Sequence, residues 1–369
     1  MIDDTTTRII EKLNDVTNSL TRFEITKDEL KSIALEKNFM EIQEVEGESI
    51  IALTITASKS HDPSKTKIIA INVDVKNRDS KEIKFKVKGE NIKGKNITKN
   101  YIIAQILHKF HDLKEKDIKE DILLLFYCWI PSFSKLKKIL EGLIDVKSLA
   151  WLVEPTSFYI CPVEKGFGKL NVDLKPPASL KPRLNEIFQE IKKEMNAIYK
   201  PAHDIYPTEG LPQLINAFLP GAPSVKLSGT DYENTLDRSS INFSIMYNFI
   251  PFDDKFLNEL IANIKDITKK VDENIVFKCE PEFHFPGAKS TINNDLFQEV
   301  KEAHCRVFGK EPYIEWHIHQ SIASVLNEIS SESRFLVYGP GDPFLLGKRK
   351  EALPGKHAQA FQEILDIII

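Results

Sequence analysis

Apolar residues recur along this chain in two rhythms. Unbroken runs such as 67–75 (Lys-Ile-Ile-Ala-Ile-Asn-Val-Asp-Val) and 122–127 (Ile-Leu-Leu-Leu-Phe-Tyr) alternate with segments whose apolar positions return every three or four residues. The first rhythm predicts strands buried on both faces, the second amphipathic helices. Helices are expected over 7–20, 27–37, 100–110 and 134–143, and strands within 41–57 and over 67–75, 122–127 and 148–153. Strands alternating with helices predict an α/β domain with a mostly parallel sheet sandwiched by helices. The run 67–75 ends on Asn72 and Asp74. Two residues apart on a strand, they share a face at the carboxyl end, where open α/β sheets build their sites.

The rhythm changes after Lys165-Gly166. A strand at 167–174, a proline-rich turn, a helix at 184–199, irregular chain over 201–224, a strand at 240–247, a helix at 254–271 and a strand at 274–279 predict a small α+β domain. The first pattern then resumes, with helices at 295–308, 321–329 and 356–369 and strands at 313–316 and 335–338. One domain therefore comprises 1–166 and 280–369, with 167–279 inserted into it.

Charge and cysteine usage narrow the function. A net charge of −4 with lysines and acids interleaved argues against a nucleic-acid partner. No apolar run reaches the length of a membrane span, and the first residues lack a signal-peptide pattern. Cys128, Cys161, Cys279 and Cys305 lie far apart without metal-ligand spacing, which fits buried thiols in a reducing cytoplasm. A nucleophile-elbow serine motif, a P-loop and a dinucleotide fingerprint are all missing. His317 and His319 share a strand face and could join a metal site; so could His108 and His111 on a helix. Surface or core roles are the better reading for both pairs. The segment 280–284, Glu-Pro-Glu-Phe-His, reads as the return from the inserted domain.

Taken in order, several short motifs resemble the zinc-dependent deacylases and exopeptidases that include acetylornithine deacetylase, succinyl-diaminopimelate desuccinylase and aminoacylase, the acetyl-lysine deacetylase branch of lysine biosynthesis standing nearest. They are 68–75, 85–89, 94–101, Glu154-Pro-Thr followed by Lys165-Gly166, 229–234 with Pro251, 286–288, 308–312 and 338–342. The resemblance implies a zinc-exopeptidase-like domain carrying an inserted ferredoxin-like lid or dimerisation domain. It also implies two zinc ions held by two histidines and three carboxylates, with a glutamate as general base.

Carried over position by position, that site is largely gone. The first ligand histidine is Asn72, while the aspartate that would orient it survives as Asp74. Lys99 replaces the bridging aspartate, and the Glu-Glu pair falls near Trp129 and Ile130. Glu154 alone is retained among the ligands; the last histidine falls on Lys348. In the substrate-gripping stretch Asn234 is kept and the arginine becomes Asn248. Asn72, Asp74, Lys99, Glu154, Asn234, Asn248 and Lys348 are thus expected as a vestigial pocket, with neither catalytic residues nor a metal cofactor. The expected function is that of a non-catalytic homologue, a cytoplasmic binding or regulatory subunit. It would form a homodimer, or a heterodimer with an active relative, through the inserted domain, where 240–247 and 254–271 are the elements to test. The alternatives are an amidohydrolase with a metal site rebuilt around His317, His319 and Glu154, and a small-molecule binding protein. Two electrostatic arrangements remain open: Lys99, with Lys348, neutralises Glu154 and Asp74, or the pocket has opened and all these groups are hydrated.

Overall fold

The structure, a computed structural model, describes residues 3–14, 16, 18–44, 50–57, 66–74, 84–88, 90–128, 133–143, 149–198, 224–230, 240–249, 255–290, 292, 294–317, 321–329, 334–343, 345–346 and 351–369. It divides into two compact units, Met1–Val163 with Lys289–Ile369, and Glu164–Ala288.

In the first unit, strands β1 (Met40–Glu44), β2 (Ile50–Ile55) and β3 (Lys67–Asn72) precede the short β4 (Lys86–Lys88) and β5 (Asn91–Lys93); β6 (Ile122–Tyr127), β7 (Leu149–Leu152) and β8 (Ile160–Glu164) follow. Six of these strands enter a nine-stranded sheet with β13 (Ala288–Lys289), β14 (Ile314–His317) and β15 (Arg334–Val337) through the order β1-β2-β6-β3-β7-β15-β8-β13, with β14 paired to β8. The sheet is mixed. β6-β3-β7-β15 run parallel; β1, β2 and β8 pair antiparallel beside them. The parallel pairing does not extend to the edge, because β1 and β2 pair antiparallel with each other and β2 with β6. Every residue of β6 is buried, as the unbroken apolar run requires when helices cover both faces.

Helices α1 (Asp4–Asn14), α2 (Ser19–Leu35) and α3 (Ile97–Asp112) follow the expected rhythm with one correction. The apolar period over 7–20 continues through a break. Asn18 caps α2, its side chain accepting from the Thr21 N–H at 2.7 Å, and Asn14 at the end of α1 accepts from the Lys95 N–H at 2.9 Å. α4 (Phe133–Leu143) follows β6.

The second unit places β9 (Gly166–Lys175), β10 (Ser224–Thr230), β11 (Ile241–Phe249) and β12 (Val276–Phe285) in an antiparallel sheet of order β10-β11-β9-β12. Helices α5 (Leu184–Ile198) and α6 (Phe256–Val271) share its core, where Leu170, Val172, Ile191, Ile245, Leu260 and Ile264 are buried. Burial alternates along β9, the mark of a sheet covered on one face. β11 lies inside the sheet with neighbours on both sides, so its backbone is not an open edge. β10 was not expected: it begins where the stretch read as irregular, 201–224, ends, and residues 201–223 of that stretch lie outside the described ones.

The chain returns through α7 (Asp295–Phe308), α8 (Ala323–Ile329), β16 (Ala352–Pro354) and α9 (Gly355–Ile368). α7 has the expected bounds because both ends are written locally. Asn294 accepts from the Phe297 N–H, and Gly309, at φ 68°, donates its N–H to the Cys305 carbonyl. Lys67 ties the returning segment to the sheet: its buried ammonium lies 2.9 Å from Glu299, donates to the Ile368 carbonyl at 3.2 Å and also meets Glu120. The four cysteines are free thiols, Cys128 and Cys161 buried, and among the described residues no helix is long and apolar enough to cross a membrane.

Candidate functional site

The parallel strands deliver their carboxyl ends to a common place. β3 ends at Asn72, whose side-chain oxygen turns back to accept from the Asp74 N–H at 2.7 Å. Asn72 therefore fixes the turn that follows the strand, instead of projecting beside Asp74 as the strand pattern predicts.

Two buried cations meet the backbone here. Lys99, on the first turn of α3, donates to the Asn72 carbonyl at 3.2 Å. Arg22, fully buried on α2, directs one guanidinium nitrogen to the carbonyls of Val73 at 3.4 Å and Asp74 at 3.2 Å. Three successive carbonyls at the end of β3 are thus held by two side-chain cations.

Glu154 lies just beyond β7. Its Oε2 is 3.3 Å from the Lys99 ammonium, with both side chains at most 4 % exposed, while Oε1 is buried without a hydrogen-bond partner among the described residues. The open, hydrated pocket is therefore ruled out for this pair, and Lys99 neutralises Glu154. Glu351, also buried, accepts from the Thr98 N–H at 3.0 Å, placing its charge at the start of α3. Burial pulls the Arg22 guanidinium down to about 10, opposed by the negative charges of Glu351 and Asp74, so it stays protonated at neutral pH. Arg22 and Glu351 were not among the expected site residues.

The Glu154 loop is tightly determined. The Ser157 N–H donates to the Gly341 carbonyl at 2.7 Å and the Phe158 N–H to the Gly339 carbonyl at 2.9 Å. Ser157 and Phe158 both have left-handed backbones, φ 54° and 63°, a costly conformation for a bulky residue such as Phe158. A side chain at 339 would come within 2.5 Å of the Glu154 carbonyl, so only glycine admits this approach. Phe158 is anchored against Phe308 and Tyr338, with ring centroids 5.0 and 5.5 Å away.

Beside these rings His304, 4 % exposed, shares a 2.9 Å hydrogen bond with the Tyr338 hydroxyl. Burial, assisted by Lys310, pushes its imidazole down to about 4 from an ordinary 6.5. Between those values the unfolded chain binds the extra proton, so stability rises with pH. The contribution is fully present above about 6.5 and lost as pH falls through about 4, amounting to about 3 kcal/mol at most. Urea unfolding between pH 7 and 4 should show this loss, with a shallower slope in His304→Phe. His284 and His357, also depressed by burial, leave a remaining slope of the same sign.

The other candidates are dispersed. Trp129, Ile130, Asn234, His319 and Lys348 lie outside the described residues, as do 231–234 and 251 of the motif stretch. Asn248 is on β11, in the other unit, and only its backbone is described. His317, on β14, is buried. His108 reaches Asp3 and Asp112, and His111 pairs with Asp112 at 2.9 Å, a surface cluster at the end of α3. His284, on β12 within the 280–284 stretch, shares a 2.9 Å hydrogen bond with the Tyr247 hydroxyl of β11. Among the described residues no group of three or more His, Cys, Asp or Glu could hold a metal ion. Among the described residues the carboxyl ends of the strands thus do not fit a two-zinc centre: of the family's ligands Glu154 alone is described there, and an ammonium stands against it.

This is nonetheless the fold of the M20 metallopeptidases, with mixed sheets flanked by helices. A di-peptidase from Saccharomyces cerevisiae superposes with a TM-score of 0.72 at 11 % identity, covering 98 % of this chain and 93 % of that one. An M20 family metallo-carboxypeptidase from Sulfolobus solfataricus gives 0.69 at 13 % identity over 100 % of both chains. A tripeptidase from Staphylococcus aureus gives 0.68 at 14 %, covering 100 % of this chain and 98 % of that one. No family model matches the sequence, and no curated protein matches it.

Proposed function

We propose that this chain is a non-catalytic homologue of the metal-dependent deacylases and peptidases, acting as a binding or regulatory subunit. The observation that carries the reading is the buried Lys99–Glu154 pair, where the one retained ligand is engaged by a lysine at 3.3 Å. A divalent ion at Glu154 would have to displace that ammonium and find donors that the surrounding carbonyls, already bonded to Lys99 and Arg22, do not offer. The deacetylase-like ancestry, the ferredoxin-like character of the second unit and a cytoplasmic setting belong to the same reading.

Dimerisation through the second unit, with itself or with an active relative, completes the proposal. Since β11 is interior and α6 buries Phe256, Leu260, Ile264 and Ile267, the surfaces for it among the described residues are the edge strands β10 and β12 and the outer side of α6. Purified protein supplied with zinc, cobalt or manganese should turn over N-acetyl amino acids and dipeptides no faster than its Glu154→Gln variant. Chelator-sensitive turnover above that variant would contradict the reading.

A further inference from the structure

β4 and β5 form a hairpin that joins β16 in a three-stranded sheet of order β16-β5-β4. Among the described residues β4 is its edge, and all three residues of β4 are exposed. The register pairs Lys86 with Lys93, Val87 with Ile92 and Lys88 with Asn91. One face therefore carries Val87 beside Ile92, which is 2 % exposed and belongs to the main core; Val87 itself, at the open edge, is 61 % exposed. The opposite face carries Lys86, Lys88 and Lys93, and Lys84 lies two residues before Lys86 in the same alternation.

Lys84, Lys86 and Lys88 are exposed and Lys93 half-buried, and among the described residues none has an ion-pair partner. Like charges directly opposite on paired strands destabilise the pair. Lys86 against Lys93 is such a pair, in a chain whose net charge is negative.

We propose that the β4 edge accepts an extended acidic segment of a partner polypeptide as an added strand. Its carboxylates, spaced two residues apart, would lie against the lysine face, and its intervening apolar residues would cover Val87. Edge lysines also serve to keep strands of like character apart. Here the same stripe, next to the exposed Val87 and a backbone edge open among the described residues, selects for a strand of opposite charge. A nucleic acid is the poorer match, since the hairpin offers no arginine and its one aromatic, Phe85, packs on the core. This inference does not depend on the absence of catalysis.

The test is fluorescence anisotropy with a labelled Glu-Val-Glu-Val-Glu-Val-Glu peptide at about 0.1 M salt, where exposed charges are partly screened. Saturable binding is expected, weakened at least tenfold by a Gln-for-Glu peptide, by N-methylation of alternate peptide amides, and by Lys86→Glu/Lys88→Glu. The exposed positions leave the variant's melting temperature unchanged, which separates lost binding from lost fold. Three results would overturn the proposal: no saturation; equal binding of the N-methylated peptide or of a single-stranded oligonucleotide of the same charge; or Lys86→Gln/Lys88→Gln that self-associates yet binds the peptide unchanged, meaning that the lysines only hold edges apart.

Discussion

Lys99→Met is expected to destabilise the first unit by about 3–5 kcal/mol, the cost of leaving a buried carboxylate without its cation. Glu154 has nowhere to turn for compensation: it is buried, and Oε1 already lacks a partner among the described residues. Glu154→Met should be costly for the mirror reason, a buried ammonium left with only the Asn72 carbonyl. The double replacement, Lys99→Met with Glu154→Met, should be closer to the parent than either single change. Removing both charges also removes both desolvation penalties and the unsatisfied Oε1. Denaturant unfolding of the four proteins gives the coupling directly, and about 2 kcal/mol or more is expected from a pair this buried. Additive losses would mean that the two groups do not sense each other.

Arg22→Met should cost a comparable amount, again about 3–5 kcal/mol. Its guanidinium serves two successive carbonyls and faces the charges of Asp74 and Glu351, so the substitution strands two carbonyls just beyond β3 and removes a cation that both carboxylates sense. Arg22→Lys keeps the charge but not the planar fork, and should recover only part of the loss. Since α2 and β3 are joined through this residue, the variant should also speed amide exchange at the end of β3. Unchanged exchange there, with stability lost elsewhere, would contradict the assignment.

How much of this could be read in the sequence differs by element. β6 and α7 were legible because their signals are local: an unbroken apolar run, and a helix written between Asn294 and Gly309. The break between α1 and α2 was not, because apolar spacing persists across Asn18 and only the cap bond reveals it. Asn72, Asp74, Lys99 and Glu154 could be placed at one site from the order of short motifs. Arg22 could not, being far from them in sequence, although a signal was present. It sits with Phe23, Thr26, Leu30 and Ile33 on the buried stripe of α2, where a cation needs a partner. Glu351 was concealed by the preceding Lys-Arg-Lys run, which reads as solvated surface. In one of the two arrangements left open Lys99, with Lys348, neutralises Asp74 as well as Glu154; Arg22 is a further cation that senses the Asp74 charge.

The central claim is that the buried Glu154 carboxylate is engaged by the Lys99 ammonium and not by a divalent ion. Elemental analysis of protein purified without chelator tests it most directly. The account predicts less than about a tenth of an equivalent of zinc, manganese or cobalt per chain, since one engaged carboxylate cannot replace three or four free ligands. One or two equivalents, retained through gel filtration and lost in Glu154→Gln, would contradict it.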